Sequence, residues 1–158
     1  MGNPLVALQE QGQSVWLDYI RRNMLQSGEL RQLIEDDGLR GMTANPTIFQ
    51  QAIAAGNDYD ETVGRLIREG KSPIDVYEGL AVEDIQAACD QFGQVYDQTG
   101  GADGFVSLEV APSLAHDTQG TIEEARRLWK MVGRQNLMIK VPGVAAGVPA
   151  IEALLSEG

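Results

Sequence analysis

The chain has 158 residues, 43% of them hydrophobic, which predicts one domain of ordinary size with a sizeable core rather than a disordered segment. Its 23 acidic and 12 basic residues give a formal charge of −11, and a field of that sign repels phosphates, which argues against a general nucleic-acid or anionic-membrane binder. One cysteine, Cys89, excludes an internal disulfide, and one cysteine with one histidine, His116, argues against a zinc site.

No apolar run approaches the ~20 residues of a membrane span. No basic segment followed by an apolar core opens the sequence, so no secretory signal is expected. Together with the cysteine usage this predicts a cytoplasmic protein without a membrane partner. The first apolar run is Ser14 to Tyr19, and a helical pattern follows from Arg21 to Glu35, closed by Asp37-Gly38. The second run is Leu39 to Asn45, stopped by Pro46. Helical patterns then cover about 46–55, 58–69 and 72–98, the last opened by Ser72-Pro73 as an N-cap with proline at the first helical position. Gly100-Gly101 ends it. The third run is Gly104 to Val110. Thr121-Ile-Glu-Glu124 reads as a capping box that opens a helix to about Val132. The fourth run is Asn136 to Val141, stopped by Pro142-Gly143, and a final helical pattern covers about 146–156.

The order is βα four times, with extra helix after the second strand. Such alternation implies an α/β fold with parallel pairing and right-handed crossovers. Four parallel strands suit a small open sheet or half of a (β/α)8 barrel, which typically needs ~250 residues.

Side chains alternate across a strand, which sorts each run into two faces. One face is apolar: Val15 and Leu17, then Val106, Leu108 and Val110, then Leu137, Ile139 and Val141. The opposite face carries a polar residue close to the C-terminal end of each strand: Asp18, Thr43 with Asn45, Glu109 and Lys140. In a barrel these would converge at the C-terminal mouth, where barrel active sites lie.

Lys140 is the sharpest case. Of the three lysines, Lys71 falls in a turn-like segment and Lys130 in a charged helix, and only Lys140 lies within an apolar strand. Burial there would lower its pKa from ~10.4 and favour the neutral amine, which attacks a ketone to form a Schiff base. The plain alternative is a strand-end lysine that reaches solvent or pairs with a carboxylate. Asp18 could equally cap the next helix, Glu109 could be the ion-pair partner of Lys140, and Asn45 before Pro46 could be an N-cap. His116, near Ser113 and Asp117, reads as a solvated loop residue, because a hydrolytic triad needs spatial orientation and not mere sequence proximity. Cys89 reads as a small buried apolar residue. Neither a phosphate loop nor a dinucleotide GxGxxG is present.

The segments that carry these residues resemble transaldolases. Met138-Ile-Lys-Val-Pro-Gly143 is similar to the Schiff-base lysine strand, and Gly41-Met-Thr-Ala-Asn-Pro-Thr47 to the Thr-x-Asn-Pro strand end. Ser107-Leu-Glu-Val110 resembles the glutamate strand and Val15-Trp-Leu-Asp18 the first strand with its aspartate. All four stand in family order, and the wording is nearest the subgroup that includes fusions to phosphoglucose isomerase. The resemblance implies a (β/α)8 TIM barrel of which residues 1–158 would supply the N-terminal half, about four βα units.

It also implies roles. Lys140 would form the Schiff base, Asp18 would act as general base in carbon–carbon cleavage, and Glu109 would assist through a water. Asn45 would bind hydroxyls of the three-carbon unit, with Thr43 in support. The partners implied are sugar phosphates, and no metal or organic cofactor is implied, because the protonated imine is itself the electron sink. Val144 stands where family members often have threonine, and the phosphate-binding arginine and serine would lie beyond residue 158. The expectation is a half-barrel, inactive or barely active alone. A fructose 6-phosphate aldolase, a non-catalytic βα domain, and a homo-oligomer that completes a barrel from two copies are the alternatives.

Overall fold

A computed structural model describes residues 2–158. Its sheet has four strands, β1 (Trp16–Asp18), β2 (Gly41–Thr43), β3 (Phe105–Glu109) and β4 (Leu137–Lys140), parallel throughout and in the order β1-β2-β3-β4. Helices α1 (Pro4–Gln9), α2 (Arg22–Ser27), α3 (Glu29–Asp36), α4 (Pro46–Ala54), α5 (Asp60–Arg68), α6 (Pro73–Gln98), α7 (Thr118–Val132) and α8 (Val148–Glu157) surround it. Sequential parallel strands, each followed by helix, are the arrangement of the first units of a (β/α)8 barrel, and the α/β expectation holds.

The apolar faces form the core as the alternation requires. Met42, Val106 and Leu137 lie in register on neighbouring strands and are buried beneath the helices. The long α6 lays Ile85, Ala88, Cys89 and Phe92 onto them, all buried. Each large side chain so buried stabilises the fold by ~1.5–3 kcal/mol before entropy is counted. Two contacts fix how α6 meets β3. Gly104, at φ +84°, lets the α6 backbone come so close that a Cβ would lie 2.4 Å from the Tyr96 nitrogen. The buried Asn136 amide donates to the carbonyls of Cys89 (2.9 Å) and Gly104 (2.8 Å), tying α6 and β3 to the start of β4.

Cys89 is buried, and burial pushes its thiol up to about 12. At pH 8 a disulfide reagent is expected to label it only at the rate of global unfolding, and immediate labelling of folded protein would contradict this packing. A thiol pKa raised by folding contributes stability that is present below the ordinary thiol range and lost as pH rises toward about 12.

The structure corrects four expectations. The stretch from Arg21 to Glu35 is two helices rather than one, because Gly28 takes φ +88° between them. Helix α7 opens a turn before the supposed capping box: Asp117 caps it by accepting from the Gly120 N–H at 2.9 Å, and the Thr121 hydroxyl donates to the Leu114 carbonyl. The first strand is only Trp16–Asp18. Helix α1 was not expected, although Asn3-Pro4 is an N-cap with proline at the first helical position, and Asn3 does accept from the Leu5 N–H. No helix among the described residues is long and apolar enough to cross a membrane.

Candidate active site

The face of the sheet opposite the helices is layered by its register. Trp16, Gly41 and Phe105 align lowest, then Asp18, Thr43, Ser107 and Met138, and then Glu109 with Lys140 at the C-terminal ends. Gly41 is required at the lowest layer: the Trp16 ring lies across it, 2.3 Å from where a Cβ would be. Above that aromatic floor the layers are polar apart from Met138.

Lys140 Nζ lies 3.6 Å from Glu109 Oε2, and the two side chains keep 37% and 31% of their surface exposed. This corrects the argument from burial. An apolar strand surrounds the lysine in sequence, but the side chain is only partly buried, and its partner is the carboxylate one strand over. An ion pair this open stabilises the fold by only ~0–1 kcal/mol, so its placement is of more consequence for chemistry than for stability.

An open cleft of about 510 Å³ sits at the strand ends, walled by Asp18, Asn45, Pro46, Thr47, Ile48, Glu109 and Pro112. Lys140 stands beside this cleft, adjoining it through Glu109. Asp18 is exposed at the end of β1 and does not cap the following helix, whose N-cap is Arg21 without a side-chain bond. Asn45 does act as a cap, accepting from the Ile48 N–H at 3.0 Å, which leaves its amide hydrogens for the cleft. The cap holds the side chain in place at the strand end, so the structural and binding readings are compatible. Thr43 is half-buried, and its hydroxyl accepts from Ser107 at 2.8 Å.

Two residues near the site were not anticipated. Ser107 is a buried polar residue in the middle of β3, whose signal was its place two residues before Glu109 on the same face. Tyr77, on α6, packs edge-on against Phe49 with ring centroids 6.3 Å apart. Burial pushes its phenol up, and the charge of Glu109 adds to that. Nothing in the helical pattern distinguished it from an ordinary core aromatic. His116 is exposed in its loop, and Asp117 is occupied as a helix cap, so no hydrolytic triad forms. Pocket-lining residues at the edge of β4, including Ala125, Trp129, Ile151 and Leu154, form a second, apolar groove away from these groups.

Known proteins share this sequence over nearly its whole length. A family model described as Transaldolase/Fructose-6-phosphate aldolase matches residues 15–158. Among curated relatives, a transaldolase of Trichodesmium erythraeum is 47% identical over 99% of this chain, and a Transaldolase 2 of Nostoc is also 47% identical over 99%. A transaldolase of Neisseria gonorrhoeae is 50% identical over 93%. The chain spans 41–42% of the length of these relatives.

Proposed function

The chain belongs to the transaldolase/fructose-6-phosphate aldolase family, and from that premise we propose that it carries the Schiff-base half of a transaldolase. The protein so built would transfer a dihydroxyacetone unit from sedoheptulose 7-phosphate to glyceraldehyde 3-phosphate, giving erythrose 4-phosphate and fructose 6-phosphate. That reaction belongs to the non-oxidative pentose phosphate pathway. Residues 1–158 would be the N-terminal half of the barrel. The observation that carries the proposal is the Lys140–Glu109 pair at 3.6 Å on adjacent strand ends, beside a cleft shared by Asp18 and Asn45.

The positions support one role for each residue. Glu109 takes a proton from the Lys140 ammonium, and the amine attacks the C2 carbonyl of the ketose. Glu109, directly or through a water, returns a proton to the carbinolamine hydroxyl, which leaves as water to give the imine. Asp18, across the cleft, accepts the C4 hydroxyl proton while the C3–C4 bond breaks. The electron pair of that bond moves into the protonated imine to form an enamine, and the aldose departs. Addition of the enamine to a new aldehyde reverses these steps. Asn45, with its oxygen committed to the helix, donates its amide hydrogens to hydroxyls of the three-carbon unit. Thr43 braces the floor beneath. Sugar phosphates are the partners this reading requires, and the imine leaves no step for a separate cofactor.

The test is reduction in place. The chain is incubated with fructose 6-phosphate, treated with borohydride, digested and mapped by mass spectrometry. A three-carbon or hexose-phosphate adduct on Lys140 is the expected result. An unmodified chain, or a specific adduct elsewhere, would overturn the assignment. Glyceraldehyde 3-phosphate released catalytically with no added aldehyde would favour the aldolase reading over the transferase.

A further inference from the structure

Ser107 is 4% exposed, and its hydroxyl donates to Thr43 Oγ1 at 2.8 Å across the β2–β3 pair. Stability does not call for this bond. Two facing hydroxyls satisfy each other, and replacing both by apolar groups of the same shape is nearly neutral. A sheet whose other face carries Val106 and Leu108 could as well have packed valines here. The pair is placed where it matters for chemistry. Ser107 lies two residues before Glu109 on the same face, and Thr43 is the register neighbour of Asp18 on β1. The bond fixes the Thr43 hydroxyl in the same layer of the sheet as Asp18, which borders the cleft.

We propose that Ser107 is a positioning residue, which fixes the Thr43 hydroxyl in the layer of Asp18 and so keeps that carboxylate placed to accept the C4 hydroxyl proton. Among the described residues its side-chain hydrogen bond is to Thr43 and not to Lys140. It acts through Thr43, and on cleavage rather than on imine formation. The proposal rests on the Schiff-base reading given above.

The two steps separate in one trapping experiment. With fructose 6-phosphate, borohydride fixes a hexose-phosphate adduct if cleavage has not occurred and a three-carbon adduct if it has. With dihydroxyacetone, only imine formation is read. For Ser107→Ala the three-carbon share from fructose 6-phosphate is expected to fall about fivefold, the loss of one ordinary hydrogen bond's worth of orientation. Adduct from dihydroxyacetone should stay at the level of the unsubstituted chain, a split that a general loosening of the sheet would not produce. Thr43→Val should show the same fall, and Ser107→Ala in the Thr43→Val background should add nothing further. An unchanged three-carbon share in Ser107→Ala, or additive losses in the double variant, would overturn the role of Ser107 alone. If the unsubstituted chain gives no adduct from either ketose, the Schiff-base reading falls and takes this role with it.

Discussion

Lys140→Met is expected to abolish every borohydride-dependent adduct, while the unfolding midpoint moves little. On the proposed Schiff-base reading the chemistry depends on one amine. Lys71 lies exposed in the turn between α5 and α6, and Lys130 is exposed on α7, on the far side of the sheet from the cleft. Neither lies at the cleft, whereas Lys140 Nζ is 3.6 Å from Glu109 Oε2, the carboxylate proposed above to move protons during imine formation. Stability should change by under about 1 kcal/mol, because the pair lost is partly exposed and methionine keeps the unbranched stem. Peptide mapping after reduction, with guanidinium unfolding alongside, checks both halves. An adduct that survives in Lys140→Met would move the nucleophile to another amine.

This pairing of a large chemical effect with a small structural one reflects how the strand is built. Leu137 is buried and Ile139 packs against the core, and they hold β4 in the sheet. Met138 and Lys140 on the opposite face carry little of the fold, so that face is free to carry chemistry. The same division holds in β3, where Val106 and Leu108 are core and Glu109 borders the cleft. Alternation with period 2 was therefore readable in the sequence, and with it the four polar strand ends. The structure places Asp18, Asn45 and Glu109 in one cleft, with Lys140 against Glu109.

What was not readable depends on contacts between distant residues. The apolar neighbours of Lys140 in sequence suggested burial, but exposure is set by what lies beyond the edge of β4, which periodicity does not report. Gly28 sits inside a continuous helical pattern, and a single glycine is tolerated in a helix, so only its positive φ marks the break. Thr121 and Glu124 have capping-box spacing, yet Asp117 was available one turn earlier and caps more of the chain. Ser107 looked like a neutral strand residue because its partner, Thr43, is 64 positions away.

Asp84 shows the same limit, and it supplies the largest expected loss of stability. It interrupts the apolar stripe of α6 between Val82 and Ile85, a position that a charge occupies only with a partner. The partner is Arg22, itself buried, whose Nε lies 2.8 Å from Asp84 Oδ1. The Tyr59 hydroxyl donates to Asp84 Oδ2 at 2.8 Å and accepts the Arg22 backbone N–H at 3.0 Å. Arg22 also reaches Thr62 Oγ1 at 2.9 Å, and its guanidinium stacks over the Tyr59 ring at 4.7 Å. Asp84→Ala would strand a buried guanidinium and a buried phenol hydrogen together. Breaking such a pair from one side costs ~3–5 kcal/mol. The lower end of that range is expected, because Glu83 still lies 3.0 Å from Arg22. Arg22→Met with Asp84→Leu removes both charges, and should recover a large part of the loss. The network also bears on the site, since Arg22 begins α2 only four residues after Asp18 and is the point where the chain leaving β1 is fastened to α5 and α6. Asp84→Ala should therefore lower the three-carbon share of trapped adduct as well as the guanidinium midpoint, and the paired apolar variant should restore the midpoint first. A cost below about 1 kcal/mol for Asp84→Ala would mean that Glu83 and water satisfy Arg22 unaided, and that the buried carboxylate does not fasten this end of β1.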